Sequence, residues 1–128
     1  MQTLTDKIFE LSAPYDNPYQ GKDHKALFVC SAGLLRSATM ANYYAKQGWN
    51  TRAAGSAEYA LVPVSINLLA WADQIYFVNR ENYMEVRDTF ADTEFADKID
   101  RGVVLNIPDQ YEYNNPTLIK IIEEQMDA

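Results

Sequence analysis

Short apolar runs punctuate this chain at intervals, and the stretches between them carry helical rather than alternating spacing. Residues 26–30, 74–78 and 102–106 are compact runs of apolar, β-branched and aromatic side chains, the pattern of strands buried on both faces. Residues 50–54, with Thr51, Ala53 and Ala54, give a weaker strand. Between them, residues 37–47 predict a helix with Ala and Met at good helical positions, and with Gly48 placed where a left-handed residue ends it. Pro63 opens a predicted helix over 63–70, the polar stretch 80–89 predicts another, and Pro116 opens a last one whose Leu118, Ile119, Ile121 and Ile122 face a sheet. A short helix is expected over 4–11, and the turn formers Pro14, Asp16, Asn17, Pro18, Gly21 and Asp23 then mark residues 1–24 as an N-terminal appendage to a domain spanning 25–128.

Strands alternating with helices predict an α/β three-layer sandwich: a central parallel sheet of about four strands, joined by right-handed crossovers, with helices on both faces. Ligands of such sheets sit beyond the carboxyl ends of the strands. Cys30 and Asp109 each follow a predicted strand, so both belong to that edge despite their separation in sequence.

Composition narrows the chemistry. With 128 residues, 48% of them hydrophobic, the chain reads as one domain able to bury roughly two-thirds of its unfolded surface without a disulfide or structural metal. One cysteine and one histidine provide neither an internal disulfide nor a zinc cluster, so no metal or other cofactor is expected and the thiol implies a reducing compartment. No leader and no span of about 18 apolar residues is evident, which reads as soluble, cytoplasmic and without a membrane partner. A formal net charge of −7 argues against wrapping a nucleic-acid backbone. It also requires that any site for a phosphate be a local, sheltered concentration of positive potential.

The run Cys30-Ser31-Ala32-Gly33-Leu34-Leu35-Arg36-Ser37 meets that requirement. It puts five residues between a cysteine and an arginine, in a loop from strand to helix. So short a loop can curl until its amides converge on one anion at the helix N-terminus, with Gly33 allowing the positive backbone angle of the curl. Arg36 supplies a planar fork for two phosphate oxygens. The same surroundings favour the thiolate of Cys30, and the Ser37 hydroxyl is placed to donate to it. Asp109 is the candidate proton donor to a leaving oxygen, with Glu112 next on the same loop, and Tyr111 and Tyr113 are expected to wall a pocket for an aromatic phosphoester. His24 reads as a solvated histidine and Asp73 as flanking a strand, while Tyr43, Tyr44, Tyr76 and Tyr83 read as packing residues.

Four blocks carry a resemblance: 27–37 around Cys30, Ala53-Ala54-Gly55-Ser56, Trp71-Ala72-Asp73-Gln74-Ile75-Tyr76-Phe77-Val78, and Leu105-Asn106-Ile107-Pro108-Asp109-Gln110-Tyr111-Glu112-Tyr113. In this order they resemble a small predicted tyrosine phosphatase branch of the low-molecular-weight protein tyrosine phosphatase superfamily, over residues 25–126. The resemblance implies a metal-free, two-step hydrolysis of phosphorylated proteins or small phosphomonoesters. Cys30 is then the nucleophile, Arg36 and the amides of residues 31–36 hold the phosphate, Ser37 supports the thiolate, and Asp109 acts first as acid and then as base. Where typical members carry Gly, Asn and often a second Cys, this chain has Ala32, Gly33 and Leu35, and Asn42 stands where relatives often have Glu. Without the second Cys, no internal disulfide shields Cys30 from over-oxidation.

Two other readings share these residues. A thiol-dependent arsenate reductase uses the same loop, but with one cysteine in the chain it requires an external thiol. A binding module would hold a phosphorylated ligand without turnover.

Overall fold

The computed structural model describes residues 2–14, 20–31 and 35–127. Its elements are α1 (Leu4–Ser12), β1 (Lys25–Cys30), α2 (Arg36–Ala45), β2 (Asn50–Gly55), α3 (Ile66–Trp71), β3 (Gln74–Phe77), α4 (Arg80–Thr89), α5 (Ala96–Asp100), β4 (Val103–Val104) and α6 (Pro116–Met126). The sheet has four parallel strands in the order β2-β1-β3-β4. Helices cover both faces, so the α/β sandwich predicted from alternation is the observed fold.

Period-two alternation divides β1 between two cores. Ala26, Phe28 and Cys30 pack with Met40, Ala41 and Tyr44 of α2 and Leu118 and Ile122 of α6. Leu27 and Val29 join Ile75 and Phe77 of β3, Leu68 and Leu69 of α3, Val86 of α4 and Ile99 of α5 on the opposite face. All five residues from Ala26 to Cys30 are therefore buried, as their continuous apolarity requires.

From β1 the chain crosses to β2 on one side, then returns past β1 to β3 on the other. This reversal puts the topological switch point at the carboxyl end of β1, where the crossovers diverge and leave a crevice. Cys30 is the last residue of that strand.

Several boundaries differ from those expected. The third helix begins at Ile66, not Pro63: Pro63 bridges Gly55, and Ser65 caps the helix by accepting from the Leu68 amide at 3.2 Å. The strand expected over 102–106 is assigned only at Val103–Val104. Its ladder nevertheless runs on, Leu105 and Ile107 donating to Phe77 and Val78 at 2.8 and 2.9 Å. Gln125 pairs with both backbone groups of Asn106, taking the part of a further strand. Gly48 has φ of 98°, the left-handed conformation anticipated for it.

Described residues of α1 and of the stretch before β1 pack on the rest of the fold. Leu11 enters the α2-side core, and the buried Glu10 carboxylate accepts from Gln2, Gln20 and Lys7. Gln20 Oε1 in turn accepts from the Thr51 amide at 2.8 Å. Among the turn formers named above, Asp16, Asn17 and Pro18 lie outside the described residues.

Candidate active site

Cys30 is carried to the carboxyl edge by β1 and held there from its neighbours. The Ser56 amide donates to the Cys30 carbonyl at 2.7 Å, and the Ala57 amide to the Ser31 carbonyl at 3.0 Å. Two hydrogen bonds from the segment after β2 thus pin the strand end that presents the sulfur. Sγ lies 3.0 Å from Ser37 Oγ, both residues being buried. Either atom can donate in this contact, and the hydroxyl lies at the distance a donor to the sulfur would take.

Arg36 opens α2, and its side chain is 4% exposed. Nη1 donates to the Ile107 carbonyl at 3.1 Å, while Nη2 stands 3.6 Å from Asp109 Oδ2. A buried guanidinium needs such partners, because stripping it of water without them is costly. The first turn of α2 has no acidic residue and its N-cap, Leu35, offers no side-chain acceptor. Within its own first turn, then, α2 supplies no charge to offset its positive end, and the carboxylate nearest Arg36 is that of Asp109.

Asp109 reaches the same place from the loop after β4. Besides the Arg36 contacts, two more to α2 hold that loop: Thr39 Oγ1 accepts from the Asn114 amide at 2.9 Å, and Asn42 Nδ2 lies 3.5 Å from Asn114 Oδ1. Asn114 has φ of 61°, a left-handed turn that Asn tolerates better than most residues. This gives the buried Asn42 a concrete role in anchoring the loop.

Cys30, Ser31, Leu35, Arg36, Asp109 and Tyr59 line one cavity of about 140 Å³. Pockets for drug-sized molecules run to about 300–1,000 Å³, so this one suits a small oxyanion with the remainder of its carrier outside. A larger apolar cavity of about 210 Å³ lies between α1 and residues 61–62. It is lined by none of Cys30, Arg36 and Asp109, which meet only at the smaller cavity.

Sequence reasoning and structure meet at Cys30, Ser31, Leu35, Arg36 and Asp109, with Ser37 behind the sulfur. Ala32, Gly33 and Leu34 lie outside the described residues. Tyr111 and Tyr113 do not line this cavity. Tyr111 packs against the α2-side core with its hydroxyl accepting from Gln110 at 3.1 Å, and Tyr113 lines the apolar cavity beside α1, where burial above all pushes its phenol pKa up. The aromatic wall is instead Tyr59, 78% exposed, on the loop after β2. Its one sequence signal is position, since β2 ends at the same edge as β1. His24 also differs from the solvated residue expected: Nε2 lies 2.9 Å from the Tyr76 hydroxyl and the ring meets Trp49 edge-on.

Among the described residues no group of three His, Cys, Asp or Glu side chains is gathered as for a metal, and no helix is long and apolar enough to cross a membrane. Comparison with protein-family models, curated proteins and solved structures yields no match to this chain.

Proposed function

We propose that this protein hydrolyses phosphomonoesters, tyrosine phosphate and related aryl phosphates foremost, through a phosphocysteine on Cys30. The observation that carries the reading is the meeting of Cys30, Arg36 and Asp109 around one small cavity at the switch point. Nucleophile, oxyanion holder and proton carrier are the groups that phosphoryl transfer to sulfur calls for.

In the first step the Cys30 thiolate attacks phosphorus. The S–P bond forms as the P–O bond to the leaving group breaks, and the Asp109 carboxyl gives its proton to the departing oxygen. Arg36 holds the equatorial oxygens as charge redistributes. In the second step Asp109, now a carboxylate, takes a proton from water as that water attacks phosphorus. The S–P bond breaks, phosphate leaves, and the thiolate is restored facing the Ser37 hydroxyl, which stabilises it as leaving group. All steps use groups of the chain itself. Tyr59 and Leu35, both exposed at the mouth, are suited to the ring of an aryl ester.

The substrate is then a phosphorylated protein or a small phosphomonoester, and the cytoplasm is the compartment in which a lone nucleophilic thiol stays reduced. Steady-state hydrolysis of an aryl phosphate by the wild-type chain and by Cys30→Ser tests the proposal. Turnover by the wild type and none by Cys30→Ser is expected, whereas equal rates would assign the activity to other groups.

A further inference from the structure

Behind the cavity, α4 brings a side-chain amide to the residue next to the nucleophile. Asn82 is fully buried, the third residue of α4, with its backbone amide on the Asn79 cap at 3.3 Å. Its Nδ2 reaches Ser31 Oγ at 3.2 Å and Ser56 Oγ at 3.0 Å. Ser56 Oγ reaches onward to Glu85 Oε1 at 3.2 Å. Asn82 Oδ1, equally buried, has no hydrogen-bond partner among the described residues.

The direction of each bond follows from Glu85. A carboxylate only accepts, so the Ser56 hydroxyl gives its one proton to Glu85. Toward Asn82, Ser56 then has only a lone pair, which requires Nδ2 on that side of the amide. Nδ2 lies within reach of both hydroxyls, so Ser31 Oγ is an acceptor as well. The Ser31 hydroxyl consequently keeps its own proton for another partner, and no acceptor for it is found among the described residues. Ser31 lines the cavity with Cys30 and Arg36. The unpartnered Oδ1 is the cost of holding the amide in this orientation, since a buried acceptor without a donor is unfavourable.

We infer that Asn82 is a positioning residue whose amide turns the Ser31 hydroxyl proton into the cavity, where Ser31 donates to an oxygen of the transferring phosphoryl group. The inference rests on the phosphatase reading and adds to it a side-chain donor and the residue that orients it. Such a donor matters most as charge develops on the phosphoryl oxygens, and therefore acts on kcat more than on KM.

A double-mutant cycle tests the coupling, with kcat and KM for an aryl phosphate measured on the wild type, Ser31→Ala, Asn82→Ala and the pair. Ser31→Ala should lower kcat by about 10²-fold, as removal of one oxyanion donor does, and Ser31→Thr, which keeps a hydroxyl, should recover most of it. Asn82→Ala should lower kcat by at least about tenfold in the wild-type background but not further in Ser31→Ala, because its effect passes through that hydroxyl. Asn82→Asp, similar in shape but able only to accept, pulls the Ser31 proton toward itself and should match Ser31→Ala; it carries the cycle if Asn82→Ala does not fold. An active wild type with unchanged Ser31→Ala, or an Asn82 effect of equal size with and without the Ser31 hydroxyl, would overturn the inference and leave the phosphatase reading standing. An inactive wild type would overturn that reading and this inference with it.

Discussion

Arg36 Nη2 lies 3.6 Å from Asp109 Oδ2, a side chain 4% exposed facing one 66% exposed. So unequal a pair adds little stability, because the exposed carboxylate is well solvated. Its significance is placement: the loop after β4 is drawn over the end of β1, and Asp109 faces the crevice where Cys30 ends. The second guanidinium bond, to the Ile107 carbonyl at 3.1 Å, fixes the plane of the fork.

Arg36→Lys should therefore lose most activity, about 10²-fold or more in kcat/KM, while the chain still folds. Lysine keeps the charge but has a single ammonium where, in the proposed mechanism, two prongs would serve Ile107 and the oxyanion at once. Circular dichroism with steady-state kinetics checks this. Near-normal turnover in a folded variant would remove Arg36 from the transferring group.

Asp109→Asn should slow esters of basic leaving groups, such as phosphotyrosine, by about 10²-fold or more, and activated aryl esters far less. Pre-steady-state release of the phenol across a series of aryl phosphates isolates the step in which the leaving oxygen departs. An equal loss for every leaving group would make Asp109 a loop or binding residue, and no loss would pass the role of acid to Glu112.

Tyr44 ties pH to stability. Burial, reinforced by Asp127, raises its phenol pKa from 10.0 to about 12. The unfolded chain then loses this proton first, so between those values it binds fewer protons than the native state and stability falls as pH rises. Below pH 10 the contribution is fully present. Urea unfolding midpoints should decline as pH is raised from 9.5 to 11.5, about the interval between the two values, and Tyr44→Phe should decline less steeply.

How much was legible depended on whether a residue's surroundings are written beside it in the chain. β1 was plain because every side chain of residues 26–30 enters a core, so apolarity is continuous. β2 was weak because it buries Asn50, Thr51 and Arg52, which only tertiary partners can satisfy: Arg52 reaches the Ala13 carbonyl, Asn50 and the Trp71 ring. α5 has no local signal, since one turn anchored by Ile99 leaves little periodicity. In the site, Cys30, Arg36 and Ser37 share one loop and its helix, and Asp109 followed from strand order. Tyr59 and Asn82 reach the edge from β2 and α4, and nothing local marks either. Tyr111 and Tyr113 misled because adjacency to Asp109 in sequence does not set the direction of a side chain on a loop.

The proposed hydrolysis passes through a covalent bond between Cys30 and phosphorus, which acid-quench mass spectrometry during turnover of an aryl phosphate detects. Quenching should trap one phosphoryl group per chain on the peptide containing Cys30, and the adduct should be missing from Cys30→Ser. Hydrolysis at full rate with no phosphorylated Cys30 at any quench time would contradict it.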